Sequence, residues 1–202
     1  MKISSDLVRE LREQTGVGIM ACKNALQEAG GDIKTAIEIL RKRGIAKAQK
    51  REGRSTSEGQ VQAYVHMGGK IGVLVEVNCE TDFSAKTKDF TTFTKNLAMH
   101  IAATNPIAIS PEKVPADTVE RERDIYRAQA LGSGKPEKVV EKIIEGKLRK
   151  FFTEVCLLNQ PYVRDPDLTI QDLLSDLKAK TGENIIIKRF VRFHLGQTDD
   201  KV

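Results

Sequence analysis

The stretch Val61–Val77, VQAYVHMGGKIGVLVEV, decides the fold. Val61, Ala63 and Val65 alternate with Gln62, Tyr64 and His66, which is the period of a strand. Met67-Gly68-Gly69-Lys70 supplies turn residues, and Ile71, Val73, Val75 and Val77 carry the chain back. That pattern reads as a β-hairpin with Tyr64 and His66 on its solvated side. The return strand then stops in NCETDF, Asn78–Phe83, where two acids and a phenylalanine stand together at the tip.

Outward from the hairpin the chain is mostly helical. Before it, Ile3-Ser4 with Val8 reads as a capped, stapled helix start, and Thr15-Gly16 as its stop. Cys22, Ala25, Leu26 and Ala29 follow helical spacing, with Gly30-Gly31 behind them. Asp32 caps a third helix with the stripe Ile33, Ala36, Ile37 and Leu40, and Gly44 sits where a C′ glycine belongs. Lys47–Gly59 loses periodicity; it contains Lys47, Lys50, Arg51 and Arg54 but no aromatic residue to stack on bases. After the hairpin, helices are expected near 88–103, from Ser110-Pro111 to about Leu131, and from Pro136 onward with Val140, Ile143, Ile144, Phe151 and Val155 inward. Thr169–Asp172 resembles a capping box, and NIIIKRFVRFHLG, Asn184–Gly196, reads as a third strand. The expected class is α+β: a three-helix module at 1–44, a basic linker at 45–59, a core at 60–197 with a three-stranded antiparallel sheet under helices on one face, and a tail at 198–202.

Composition bounds the function. The 202 residues are 40% hydrophobic and 30% charged, as in a soluble globular protein. Lys and Arg number 33 against 28 Asp and Glu, a net +5 with the signs interspersed, so no direct nucleic-acid contact is expected from charge. No apolar run approaches a membrane span, and the start lacks a signal-like apolar region. Cys22, Cys79 and Cys156 lack disulfide or zinc spacing, which suits buried thiols in a reducing, cytoplasmic setting. No phosphate-binding loop, H-E-x-x-H or nucleophile elbow is present, and His66, His100 and His194 lack metal-ligand spacing. No catalytic residue, cofactor or metal is therefore expected.

Candidate contact residues are few. Helix geometry puts Met20 on the far side of its helix from Cys22 and Leu26, hence toward solvent. Phe83 either folds back into the core or points at a partner, and its spacing leaves both open. Glu80 and Asp82, entering a helix, suit its free N–H groups and dipole, with a contact role as the alternative.

Taken together, LREQTGVGIMACKNALQEAGGDIKTAIEILRKRG, VLVEVNCETDFSAK, AMHIAATNP, GKPEKVVEKIIEGKLRKFF, NQPYVRD and RFVRFHLG resemble, in order, blocks of the elongation factor Ts family. Ser84 stands where that family usually has Val, and Ile19 where many members have Met. The chain has one hairpin-plus-helices core where longer members carry two. The resemblance implies a ubiquitin-associated-like N-terminal module and a guanine nucleotide exchange factor, not an enzyme. Its partner would be elongation factor Tu, bound both with GDP and nucleotide-free. It implies that Asp82 and Phe83, following Thr81, are pushed toward the partner's Mg²⁺ and phosphate site. Arg12, Ile19 and Met20 match residues that grip a helix of the partner, and His66 a further contact. The resemblance leaves two states open for a short member with one core half, a monomer or a homodimer in which two copies engage two partners. A basic RNA- or ribosome-associated adaptor, using the three-helix module and Lys47–Arg54, is the competing reading.

Overall fold

A computed structural model of the chain describes residues 3–49, 51, 53–133 and 136–197. The expected tail at 198–202 and Lys50 of the linker lie outside the described residues. The helices are α1 Ser5–Thr15, α2 Ile19–Glu28, α3 Ile33–Gln49, α4 Asp82–Ala85, α5 Lys88–Thr104, α6 Ala116–Gly132, α7 Glu137–Val155 and α8 Ile170–Thr181. The strands are β1 Glu58–Val65, β2 Ile71–Cys79, β3 Pro161–Tyr162, β4 Asp165–Thr169 and β5 Ile185–His194. The class is α+β: N-terminal helices, then a three-stranded antiparallel sheet in the order β1-β2-β5 with helices on one face. The chain divides into two compact units, residues 1–61, 76–94 and 172–188 in one and 62–75, 95–171 and 189–202 in the other.

In the first unit, local signals set the helix ends. Ser4 Oγ accepts from the Leu7 N–H at 3.3 Å, and Gly16 turns left-handed (φ 67°) to close α1 onto the Arg12 carbonyl. Asp32 Oδ1 accepts from the Thr35 N–H at 2.7 Å and starts α3. The stripes then meet: Val8, Leu11, Cys22, Ala25, Leu26, Ala36 and Leu40 form one buried cluster. Gly44 departs from its expected capping role, because α3 runs through it to Gln49. A Cβ there would lie 2.4 Å from Ala179 Cβ, so Gly44 lets α3 approach α8 closely.

The sheet corrects the expected face of β1. The His66 N–H donates to the Ile71 carbonyl at the turn, and Gly59 packs on Val77 and Asn78 at the far end. That register puts Gln60, Gln62 and Tyr64 on the face of Val73, Val75 and Val77, which are buried. Gln60 Oε1 accepts from Thr94 Oγ1 of α5 at 3.2 Å, so the polar residues of this edge strand face the helix. Val61, Ala63 and Val65 are exposed instead. In the second unit, Arg192 of β5 donates to the Ala102 carbonyl of α5 at 3.2 Å, while Val191 and Phe193 on either side of it are exposed. Val65 (67% exposed), Leu74 (44%), Val191 (42%) and Phe193 (58%) therefore leave an apolar sheet face open.

Elsewhere in that unit α6 and α7 pack through Ala130, Val140, Ile144 and Leu148, with Tyr126, Ile143 and Phe152 beside them. Phe151 and Val155 flank a second cluster of Ala108, Val114 and Cys156. The short β3–β4 hairpin, which periodicity did not reveal, is tied to α5 by His100. His100 Nδ1 accepts from the Val163 N–H at 3.4 Å, which leaves Nε2 to donate to Gln160 Oε1 at 3.0 Å. Burial lowers the pKa of this imidazole and keeps it neutral.

Candidate partner-binding site

The site begins where β2 leaves the core. Val77 and Cys79 are buried, and burial pushes the Cys79 thiol up to about 11, so it is an inert packing group. Its S–H donates to the Thr81 carbonyl at 3.1 Å, bending the chain out of the strand. Thr81 is extended (φ −131°, ψ 152°) and caps the single turn of α4, its hydroxyl accepting from the Ser84 N–H at 3.3 Å. Successive residues on a helix point about 100° apart. Here Ser84 takes the inward direction, 3% exposed, and Phe83 the outward one, 79% exposed. Thr87 closes the turn by donating to the Ser84 carbonyl at 2.8 Å and accepting from the Phe90 N–H at 3.3 Å.

The two acids divide their tasks: Asp82 stands in the first turn of α4 as expected, while Glu80 is drawn away from that helix. Glu80 accepts from the Asn184 backbone N–H at 2.6 Å and pairs with Arg51 and Arg54 at 3.4 and 3.3 Å. Its carboxyl is held below the ordinary glutamate range, first by the Asn184 N–H and then by the arginines. Two cations of the basic linker, Arg51 and Arg54, are thus engaged by this chain's own acid. Asp82 is exposed and accepts from Lys86 Nζ at 2.7 Å; that charged hydrogen bond lowers its pKa. At neutral pH the tip therefore presents a carboxylate beside an aromatic ring.

Ser84 introduces a local cost. Among the described residues its buried Oγ finds no hydrogen-bond partner. Leaving such a group unsatisfied costs about 1–3 kcal/mol. Ser84→Ala is expected to raise Tm by roughly 2–4 °C, the shift about 1 kcal/mol gives in a chain of this size. An unchanged or lower melting temperature in calorimetry contradicts that expectation.

Arg12, Ile19 and Met20 lie in the N-terminal helices of the same unit. Ile19 (54% exposed) and Met20 (65%) are the first two residues of α2, set outward by the inward commitment of Cys22, Ala25 and Leu26. Arg12 and Ile19 line one groove of about 550 Å³ with Ile3, Val8, Arg9 and Lys23. Its lining joins apolar Ile3, Val8 and Ile19 to cationic Arg9, Arg12 and Lys23, a mixture that suits an apolar anchor beside polar contacts. His66, in the second unit, is exposed at the end of β1, and Tyr64 Oη lies 3.0 Å from its Nδ1. Thr81, Asp82 and Phe83 thus share one turn, Arg12 and Ile19 share one groove, and His66 is built separately.

Sequence reasoning missed Glu183 and Asn184, which hold the turn from the far end of the chain. No local signal marks them, since their partners are about a hundred residues earlier. Among the described residues no group of three or more His, Cys, Asp or Glu is arranged to hold a metal, and no helix is long and apolar enough to cross a membrane.

Three N-terminal helices followed by the β1–β2 hairpin, whose second strand ends in this tip, set the class of the chain. The family model described as elongation factor TS matches residues 17–197. The chain is 62% identical over 195 residues to elongation factor Ts of Desulfosudis oleivorans, covering 96% of this chain and 98% of that one. It is 60% identical to that of Syntrophobacter fumaroxidans (97% and 98% covered) and 57% identical to that of Caldanaerobacter subterraneus subsp. tengcongensis (98% and 100%). The chain belongs to the elongation factor Ts family.

Proposed function

We propose that this chain is the guanine nucleotide exchange factor of translation elongation. It binds elongation factor Tu with GDP, disturbs the Mg²⁺ and phosphate site, releases GDP, and holds the empty form until GTP enters. The observation that carries this reading is Phe83, an aromatic ring 79% exposed on a turn that is otherwise pinned. A protein does not gain by leaving a phenylalanine in water, whereas a partner that takes the ring recovers about 1.5–3 kcal/mol. Asp82 beside it supplies a negative charge that would compete for the partner's metal or phosphate contacts. Arg12, Ile19 and Met20 form the grip that binds before and after exchange, and His66 adds a contact. The factor itself makes and breaks no covalent bond.

Energetics assign the parts. Each tenfold in release rate requires about 1.4 kcal/mol, so one ring accounts for one to two powers of ten. The remainder must come from a wide interface that fits the nucleotide-free partner better than the GDP form. Linkage then requires nucleotide to weaken the factor's hold by the same equilibrium factor. The direct test mixes substoichiometric factor with elongation factor Tu carrying fluorescent GDP and follows release by stopped flow. Catalytic release is expected. Absence of release together with salt-sensitive RNA retention would establish the adaptor reading instead.

The open sheet face supports a second part of this proposal, a homodimer. Val65, Leu74, Val191 and Phe193 stand on adjacent strands of one unit, and a second copy offers the same apolar surface for a two-fold contact. Phe193→Glu is expected to convert a dimer to monomer, with the dissociation constant raised roughly a hundredfold by a buried unpaired charge. Sedimentation equilibrium reads the result; a wild-type chain that is monomeric at micromolar concentration excludes the dimer.

A further inference from the structure

A single helical turn cannot orient a side chain by itself, since its few hydrogen bonds barely offset the cost of nucleation. Yet α4 presents Phe83 in one direction, so the constraint must come from outside it. The chain leaves α8 through Gly182, left-handed at φ 69°, whose N–H closes onto the Lys178 carbonyl at 2.9 Å. The next residue, Glu183, is thereby set against the tip. Its Oε2 accepts from the backbone N–H groups of both Glu80 and Thr81 at 3.2 Å, and its Oε1 accepts from the Thr81 hydroxyl at 2.6 Å. Thr81 is the cap of α4, so this one carboxylate fixes the cap's backbone and its side chain together. The return contact is equally short: Glu80 Oε1 accepts from the Asn184 N–H at 2.6 Å, and Asn184 Nδ2 donates to the Arg54 carbonyl at 3.1 Å. Each segment ends in a carboxylate that satisfies the other's backbone donors. Charge-assisted bonds of this kind are the strong ones.

We propose that Glu183 is a positioning residue for nucleotide exchange, acting through Thr81 to hold Phe83 in the direction that enters the partner. This rests on the reading of Phe83 as the exchange probe. Removing the carboxylate leaves Phe83 present but no longer aimed, so the loss falls on the release step and not on the rest of the interface. Misplacement of a positioned group by about an ångström costs up to a hundredfold in rate.

The test measures release of fluorescent GDP from elongation factor Tu as a function of factor concentration, for Glu183→Ala, Phe83→Ala and the double variant, each checked for its thermal transition. Glu183→Ala is expected to lower the maximal release rate roughly tenfold, with the concentration at half-maximum little changed. In the Phe83→Ala background the same substitution is expected to have no further effect. Glu183→Gln, which keeps the volume and one acceptor oxygen, is expected to recover part of the rate, and it carries the test should the alanine variant lose its thermal transition. Slow release by Phe83→Ala with normal release by a folded Glu183 variant overturns the positioning role alone, as does a double variant whose losses multiply. Normal release by Phe83→Ala overturns the probe reading and this inference with it.

Discussion

Phe83→Ala is expected to slow factor-catalysed GDP release by about 10- to 100-fold, the factor equivalent to burying one phenylalanine ring. Stability should change by less than about 0.5 kcal/mol, because the ring is 79% exposed. The loss should appear in the maximal rate. An interaction made only as the nucleotide leaves lowers kcat and kcat/KM together, while one made equally throughout raises KM alone. Affinity for nucleotide-free elongation factor Tu should fall by a smaller factor, since the rest of the interface remains. Phe83→Leu should lie between alanine and the natural residue, because it keeps apolar volume while losing the flat ring. Stopped-flow release at saturating factor decides the matter. A maximal rate within twofold of the unchanged chain removes Phe83 from the mechanism.

How much of this was legible in the chain depends on the range of each signal. Ser4, Gly16 and Asp32 mark helix ends because a cap is a bond to a residue three or four positions away, and all three behave as read. Gly44 shows the limit of that logic. The same residue type that ends a helix also permits close packing, and only Ala179, far along the chain, shows which is meant. The face of β1 was misread for a related reason. Alternation separates two faces but does not say which is covered, and here the valines lie outward while Gln60 meets Thr94. At the tip, one turn places neighbouring residues about 100° apart, so either Phe83 or Ser84 had to go inward. Spacing could not choose, and the family resemblance pointed to the outward ring. Glu183 was invisible because its carboxylate acts across a separation no local pattern spans.

Met20→Asp is expected to produce the complementary defect: half-saturation of release at roughly 10- to 100-fold higher factor concentration, with the maximal rate preserved. The residue is 65% exposed on α2 and neighbours Ile19, itself 54% exposed, so the pair offers a flexible apolar anchor beside the Arg12 groove. Covering a methionine contributes about 1.5–3 kcal/mol, and an aspartate there must also shed its water. On the proposed reading the N-terminal helices grip the partner before and after nucleotide leaves, so the lost energy is common to ground state and transition state, and only apparent affinity suffers. The fold should be indifferent, since the buried face of α2 is Cys22, Ala25 and Leu26. Combining Met20→Asp with Phe83→Ala should then give losses that multiply, one in half-saturation and one in maximal rate, because the two side chains act at different stages. A Met20→Asp chain that keeps its half-saturation but loses maximal rate would place α2 in the release step itself. The division between a uniform grip and a directed probe would then have to be abandoned.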